Sequence, residues 1–117
     1  MLRTSEQMLG PQDRCAAIAL ESSMGREDLA GLIEEKIREW RNCLIMVDMI
    51  GGTPWNAAML HGLMPDCEVL AGLSLPLLLE ALSLRVGLMP RELGDALLQR
   101  APAVVTSASR LLKEKAA

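Results

Sequence analysis

Three short apolar runs, separated by helix-like segments, constrain the fold of this chain more than any other feature. The runs occupy residues 15–20, 43–47 and 67–71, and turn-forming or polar residues bound each of them. The second run is continuously apolar, which is typical of a strand that is covered on both faces. We therefore predict three strands that belong to one largely parallel sheet.

The segments between and after these runs have helical patterns. Residues 27–40 place an apolar side chain at every third or fourth position, which predicts an amphipathic helix. A second helix is expected after the second run, with Thr53 as its N-cap and Pro54 in its first position. Further helices are predicted over 76–84 and 91–100, with a last helical segment ending at Lys115. Alternating strands and helices indicate an α/β fold, a doubly wound, mainly parallel sheet with helices on both faces, in a single domain over 1–117.

Composition excludes several classes of function. The chain has 117 residues, a net charge of −3 and only two aromatic side chains, so neither a basic patch nor a stacking platform for nucleic acid is expected. Glycine and proline interrupt the longest uncharged run, 49–65, and no signal peptide is recognisable, which favours a cytoplasmic protein without membrane insertion. Three widely separated cysteines favour buried, reduced thiols over disulfides or a zinc site. We predict neither a metal nor a cofactor.

The turn after the second run is the segment richest in chemistry. Asp48 follows the run directly, and Gly51, Gly52 and Thr53 lead into the next helix. Open α/β sheets bind ligands at the carboxyl ends of their strands, and a helix start offers free N–H groups to a phosphoryl group. Asp48 could orient an imidazole there. The alternative, which spacing alone favours, is a glycine turn with a capping threonine and a solvated aspartate.

A second turn, after the third run, contains Ser74. It puts a hydroxyl at the same edge of the predicted sheet, although Ser74 could equally be an ordinary helix cap before Pro76. The single histidine, His61, lies about two helical turns beyond Pro54, roughly 10 Å along the helix axis. We expect His61 to lie near the end of that helix, followed by Gly62 as a glycine cap, and not to reach the turn at Asp48.

Residues 48–58, Asp-Met-Ile-Gly-Gly-Thr-Pro-Trp-Asn-Ala-Ala, resemble the signature of the mannose-type (mannose, fructose, sorbose) enzyme IIA domain of the bacterial phosphoenolpyruvate-dependent sugar phosphotransferase system. Residues 72–82 are similar to the second block of that family, and residues 2–10 to its first helix. The resemblance implies a phosphoryl relay, in which a histidine accepts phosphate from the phosphocarrier HPr and passes it to a IIB domain. It also implies a homodimer.

The family's site carries over only in part. By the resemblance, Asp48 matches the acid that orients the active imidazole, and Gly51, Gly52 and Thr53 match the phosphoryl-binding turn. Ser74 stands where the family usually has asparagine. The family's histidine follows an interior first strand, whereas this sequence begins within the next helix, so we expect that strand and the histidine loop to be missing from the N-terminus. A frayed terminal helix that needs no preceding strand is the alternative. His61 does not match the phosphoryl-accepting position.

Two functions follow from this resemblance. The first is a phosphoryl-carrier IIA component whose relay uses a histidine that is not present in this chain, the chain being shortened by a misplaced start or by trimming. The second is a degenerate IIA-like module that cannot be phosphorylated and acts by docking a partner. Whether the chain takes part in catalysis is left open by the sequence. An interior strand lost from the sheet would expose an edge and apolar faces, which also favours self-association.

Overall fold

The computed structural model describes residues 1–116 and has an α/β architecture. Two parallel strands form the sheet within this part of the chain. The elements in chain order are α1 (Leu2–Leu9), α2 (Arg26–Trp40), β1 (Cys43–Val47), α3 (Thr53–Ala58), a 3-10 helix (Met59–Leu63), β2 (Cys67–Ala71), α4 (Leu75–Leu84), α5 (Pro90–Arg100), a short 3-10 turn (Ala101–Ala103) and α6 (Ala108–Ala116).

The sheet confirms the predicted fold class, with helices packed against both of its faces. In the register of the parallel pair, Cys43 lies opposite Cys67 and Val47 opposite Ala71. Successive residues of β2 then point to opposite faces. Leu70 packs in a buried cluster with residues of α4 and α5, whereas Val69 packs in a second cluster with residues of α2 and α3. The sheet therefore lies between two helical layers, and both of its strands coincide with predicted apolar runs.

The third predicted strand, residues 15–20, is wrong, because this segment forms no β-structure. Ile18 is partly buried against the cluster on the α2 side, but Ala16, Ala17 and Leu20 are exposed. A strand needs a neighbour about 4.8 Å away to pair with. A cavity lies between this segment and β1 and is lined by residues of both, so the segment has no strand to pair with.

Local sequence signals set several helix boundaries. Gly10, with φ +88°, ends α1 directly before Pro11, and the carboxylate of Asp28 accepts the Gly25 N–H at 2.9 Å at the start of α2. Gly94 lets α5 approach β2 closely, because a Cβ at this position would lie 2.9 Å from Glu68 Cγ. Within residues 1–116, no helix is long and apolar enough to cross a membrane.

Candidate functional site

The two predicted turns meet at one edge of the sheet. Asp48 follows β1 and Gly72 follows β2, and the parallel register brings the two strand ends together. The Gly72 N–H donates to the Asp48 carbonyl at 3.0 Å, and the Leu73 N–H donates to the Val47 carbonyl at 3.0 Å. These hydrogen bonds join the turns beyond the last ladder pair, so the turn after β1 and the turn after β2 form one surface.

The two glycines after β1 have different conformations. Gly51 has φ +88°, in the left-handed region that favours glycine, whereas Gly52 has φ −75° and ψ 169°, which any residue adopts. The side chain of Asn56 donates from Nδ2 to the Gly51 carbonyl at 3.3 Å. The backbone N–H of Asn56 donates to the Gly52 carbonyl at 2.9 Å. Asn56 thus fastens the turn to α3. From the sequence, Asn56 is only part of the family pattern, and its hydrogen bond to the turn is not predicted.

The prediction that Thr53 caps α3 is wrong. Gly52 is the N-cap, Thr53 is the first helical residue, and no side-chain hydrogen bond caps the helix. An N-cap side chain must accept an N–H from the first turn, and a hydroxyl that lies inside this turn cannot do so. Among the residues that the structure describes, neither the Thr53 hydroxyl nor the N–H groups of Thr53 and Trp55 make a hydrogen bond. The turn therefore presents three donors that can face an anion.

Asp48 is exposed at the head of this turn. Its Oδ1 accepts the Met49 N–H at 2.9 Å, which fixes the carboxylate and leaves Oδ2 free for an external donor. In the described part of the chain, Asp48 is absent from the three ion pairs, so no cation competes for that oxygen. A carboxylate held in this way can accept the N–H of an imidazole.

Ser74 lies at the same edge and caps α4. Its Oγ accepts the Leu77 N–H at 3.3 Å, as the helix-cap alternative predicted. The hydroxyl proton is not used by this bond and can still be donated to a ligand. Gly72, with φ +98°, gives the chain its sharp turn after β2. The second loop therefore contributes one hydroxyl beside the glycine turn.

His61 lies away from this edge. It belongs to the 3-10 helix, and the neighbouring Gly62 lies against Glu68, since a Cβ there would be 3.5 Å from Glu68 Oε1. Glu68 pairs with Leu44, which is four strand residues from Asp48, or about 13 Å at 3.3 Å per residue. The expected glycine cap is wrong, because the φ of Gly62 is outside the left-handed region, where Gly10, Gly51, Gly72 and Gly87 lie.

The cysteines lie away from Asp48. Cys43 and Cys67 begin the two strands at the opposite edge, and Cys15 lies in the segment that forms no strand. All three are free thiols, and burial raises the pKa of each of them. No group of three or more histidine, cysteine or acidic residues within residues 1–116 is arranged to hold a metal ion.

This arrangement defines a class of protein: a parallel α/β domain whose two strands end in glycine turns, with a free carboxylate and unpaired helix-start donors at the shared edge. Within that class, the chain belongs to the EIIA-man family, described as the fructose IIA component of the phosphotransferase system, whose model matches residues 1–98. The resemblance carried by residues 48–58 and 72–82 is thereby confirmed.

Solved structures agree with this assignment. The chain is similar to the phosphotransferase system component EIIA from Streptococcus agalactiae, with 25% identity and a TM-score of 0.84 over 93% of this chain and 87% of that one. It has the same fold as the PTS IIA protein associated with the fucose utilization operon from Streptococcus pneumoniae, with 19% identity and a TM-score of 0.80 over 95% of this chain and 85% of that one. No curated protein matches the chain.

Proposed function

We propose that this chain is a phosphoryl-carrier IIA component that relays phosphate from HPr to a IIB domain of a sugar phosphotransferase system. The observation that carries the proposal is the edge where Asp48 and the glycine turn meet, because it offers a free carboxylate oxygen beside unpaired hydroxyl and N–H donors. We place the protein in the cytoplasm as a homodimer, on the basis of the family alone. Light scattering that gave a stable monomer would contradict the dimer.

Each site residue has a distinct role in this proposal. Asp48 accepts one N–H of an imidazole and thereby directs the other ring nitrogen towards phosphorus. Gly51 and Gly52 shape the turn, and donors at Thr53 face the phosphoryl oxygens. Ser74 adds its hydroxyl from the second loop. The imidazole itself is a histidine that this chain does not contain, since His61 belongs to the 3-10 helix whose Gly62 lies beside Glu68, and the strand partner of Glu68, Leu44, is about 13 Å from Asp48 along β1.

The test begins with the DNA in frame with Met1, where we expect a stretch encoding an apolar strand followed by Thr-His-Gly. The protein that includes this stretch should gain the mass of one phosphoryl group when it is incubated with phosphoenolpyruvate, enzyme I and HPr. Asp48→Asn should slow this labelling by up to about 10⁴-fold, the loss seen when an amide replaces the carboxylate that orients a catalytic histidine.

Asp66→Asn is the matched control, because Asp66 is also exposed but precedes β2 at the opposite edge. It should leave the rate of labelling unchanged. A stop codon directly before Met1, or equal effects of the two substitutions, would refute the relay. Phosphohistidine at His61 would refute it as well, because the site would then not use Asp48.

A IIA-like module that binds partners without being phosphorylated is the second candidate. The position of His61 in the 3-10 helix favours it, because the chain's one imidazole then lies beside the Glu68 side of the sheet and not in the turn at Asp48. It predicts no gain in mass with phosphorylated HPr, together with measurable binding to a IIB domain in isothermal titration calorimetry. Labelling without any binding to IIB would contradict this candidate.

A further inference from the structure

Two cysteines that lie 24 residues apart in the sequence become neighbours in the fold. Cys43 and Cys67 are the first residues of β1 and β2, and they lie directly opposite each other in the parallel register. Residues paired in this way direct their side chains to the same face of the sheet. Both are free thiols, of which Cys67 is fully buried and Cys43 partly buried. The fold therefore builds a pair of thiols at the amino end of the sheet.

Weak hydrogen bonds place both sulfurs against the end of α2. Cys43 Sγ donates to the Lys36 carbonyl at 4.0 Å, and Cys67 Sγ donates to the Arg41 carbonyl at 4.0 Å. Burial raises the pKa of the Cys43 thiol, and the neighbouring Cys67 raises it further. Burial also raises the pKa of the Cys67 thiol, while the nearby Cys43 N–H acts against this shift. The two thiols are thus protonated at neutral pH and lie within electrostatic reach of each other.

The carbonyl that faces Cys67 belongs to a strained residue. Arg41 has φ +65° and ψ −74°, and the Asn42 N–H donates to the Trp40 carbonyl at 2.9 Å. These features define a γ-turn of the positive-φ type, which is rare and strained. Such strain persists only where the surrounding structure holds it, and it is concentrated at functional sites. Here the strained turn directs the Arg41 carbonyl onto the Cys67 sulfur.

The surroundings of the two sulfurs suit a positive charge. The C-terminal end of a helix carries a partial negative charge, which attracts cations. At the end of α2, the carbonyls of Lys36 and Arg41 both face the thiol pair. In the free protein the two thiol protons supply the positive charge that these oxygens accept. A metal cation between the sulfurs would replace those protons.

The spacing of the strands suits a bridging cation better than a disulfide. Neighbouring strands lie about 4.8 Å apart, so paired side chains begin at about that separation. Two metal–thiolate bonds of about 2.3 Å, placed end to end, span about 4.6 Å. A disulfide instead requires its Cβ atoms to lie about 3.8 Å apart. A cation between the sulfurs therefore fits the strands as they stand, whereas a disulfide would require them to move together.

We propose that Cys43 and Cys67 form a binding site for a soft monovalent cation such as Cu(I), held between their two sulfurs. On binding, both S–H bonds break, two metal–sulfur bonds form and two protons pass to solvent, so the bound unit carries a net charge of one minus. Soft thiolate ligands favour Cu(I). Zn(II) takes four ligands, and within residues 1–116 no group of three or more histidine, cysteine or acidic residues could hold it.

This site is separate from the edge at Asp48. Cys43 and Asp48 lie at opposite ends of β1, about 16 Å apart at 3.3 Å per residue. Asn42 and Asp66, the residues that precede the two strands, are exposed, so a cation can enter from this end of the sheet. Binding there ties the starts of β1 and β2 together and does not require phosphoryl transfer.

The test titrates the reduced protein, without oxygen, with Cu(I) held by a chelator that changes colour when it releases the cation. We expect one Cu(I) per chain. Cys43→Ser should lower the affinity at least about 100-fold, because loss of even an outer partner of a metal ligand costs about 10- to 100-fold. Cys15→Ser is the matched control, since Cys15 is also free and partly buried but lies outside both strands. It should leave the affinity unchanged.

X-ray absorption at the copper edge counts the ligands in the unaltered protein, where we expect two sulfurs. Cys67→Ser tests the second ligand and should lose affinity as Cys43→Ser does. Because Cys67 is fully buried, circular dichroism must first show that this variant folds. If Cys67→Ser is unfolded, the sulfur count in the unaltered protein still decides the question.

Four results would overturn the proposal. The first is equal affinity in the wild type and Cys43→Ser, and the second is an equal loss in Cys15→Ser. The third is a sulfur count other than two, or one cation shared by two chains. The fourth is displacement of the bound Cu(I) by a tenfold excess of Zn(II), which would show that the site does not select a soft cation.

Discussion

Replacing Gly51 by alanine tests whether the left-handed backbone of the turn after β1 has an energetic role. Gly51 has φ +88°, and a Cβ built at this position meets no atom within 4 Å. Any effect of the methyl group must therefore come from backbone conformation and not from a clash. The neighbouring Gly52 provides the matched control, because its φ of −75° suits alanine and its Cβ would make only ordinary contacts, the nearest at 3.7 Å.

The magnitudes of the two effects can be worked out separately. Holding a non-glycine residue in the left-handed region costs about 1–2 kcal/mol. Alanine also restricts the unfolded chain, which offsets about 0.4–1 kcal/mol of this cost. Gly51→Ala should thus lower the free energy of unfolding by about 0.8 kcal/mol, the difference between the midpoints of the two opposing terms. In Gly52→Ala, the stabilisation from restricting the unfolded chain is cancelled by the poorer N-cap preference of alanine, which costs about 0.5–1 kcal/mol. The free energy of unfolding of Gly52→Ala should therefore stay close to that of the wild type.

Urea unfolding followed by far-ultraviolet circular dichroism measures both variants. A lowered midpoint with an unchanged slope for Gly51→Ala, beside an unshifted Gly52→Ala, is the expected result. Gly51→Asn should fall between the wild type and Gly51→Ala, because asparagine tolerates the left-handed region better than alanine. The reasoning is refuted if the two alanine variants have equal stability, or if Gly51→Ala is the more stable.

Three further predictions concern the core and the thiols. In the same unfolding assay, Gly31→Ala, on the exposed face of α2, should raise the free energy of unfolding by about 0.5–1 kcal/mol. Gly94→Ala should show no such increase, because its Cβ would lie 2.9 Å from a Glu68 carbon. Equal changes in the free energy of unfolding of the two variants would contradict this. Leu97→Ala should lower the free energy of unfolding by about 2–5 kcal/mol, because Leu97 is fully buried. Leu98→Ala, at the neighbouring residue that is 61% exposed, should lower it by less than about 0.5 kcal/mol. Burial raises the pKa of Cys67 above the ordinary 9.0, so the folded thiol holds its proton to higher pH than the unfolded one. The contribution of Cys67 to stability is therefore present below pH 9 and lost above it. The unfolding midpoints measured at pH 8 and pH 10 should differ less for Cys67→Ala than for the wild type.

The sequence predicted the sheet well where the residues that specify a strand are local. The apolar runs at 43–47 and 67–71 became β1 and β2, because strands covered by helices on both faces carry mostly apolar side chains, and Glu68 is the one charged residue among them. The run at 15–20 has the same pattern but forms no strand. Apolarity indicates that a segment is suited to burial, whereas a strand also requires a neighbour at pairing distance, and the pattern within one run does not contain that information.

The candidate site was predictable to a similar extent. The position of Asp48, and the meeting of the two turns at one edge, follow from parallel pairing alone. The cap at Thr53 was wrong because a helix start is uncertain by a residue or two from sequence, and a shift of one residue moves the hydroxyl from the cap into the first turn. The role of Asn56 depends on a side chain reaching back over five residues to the Gly51 carbonyl, which only the folded geometry reveals.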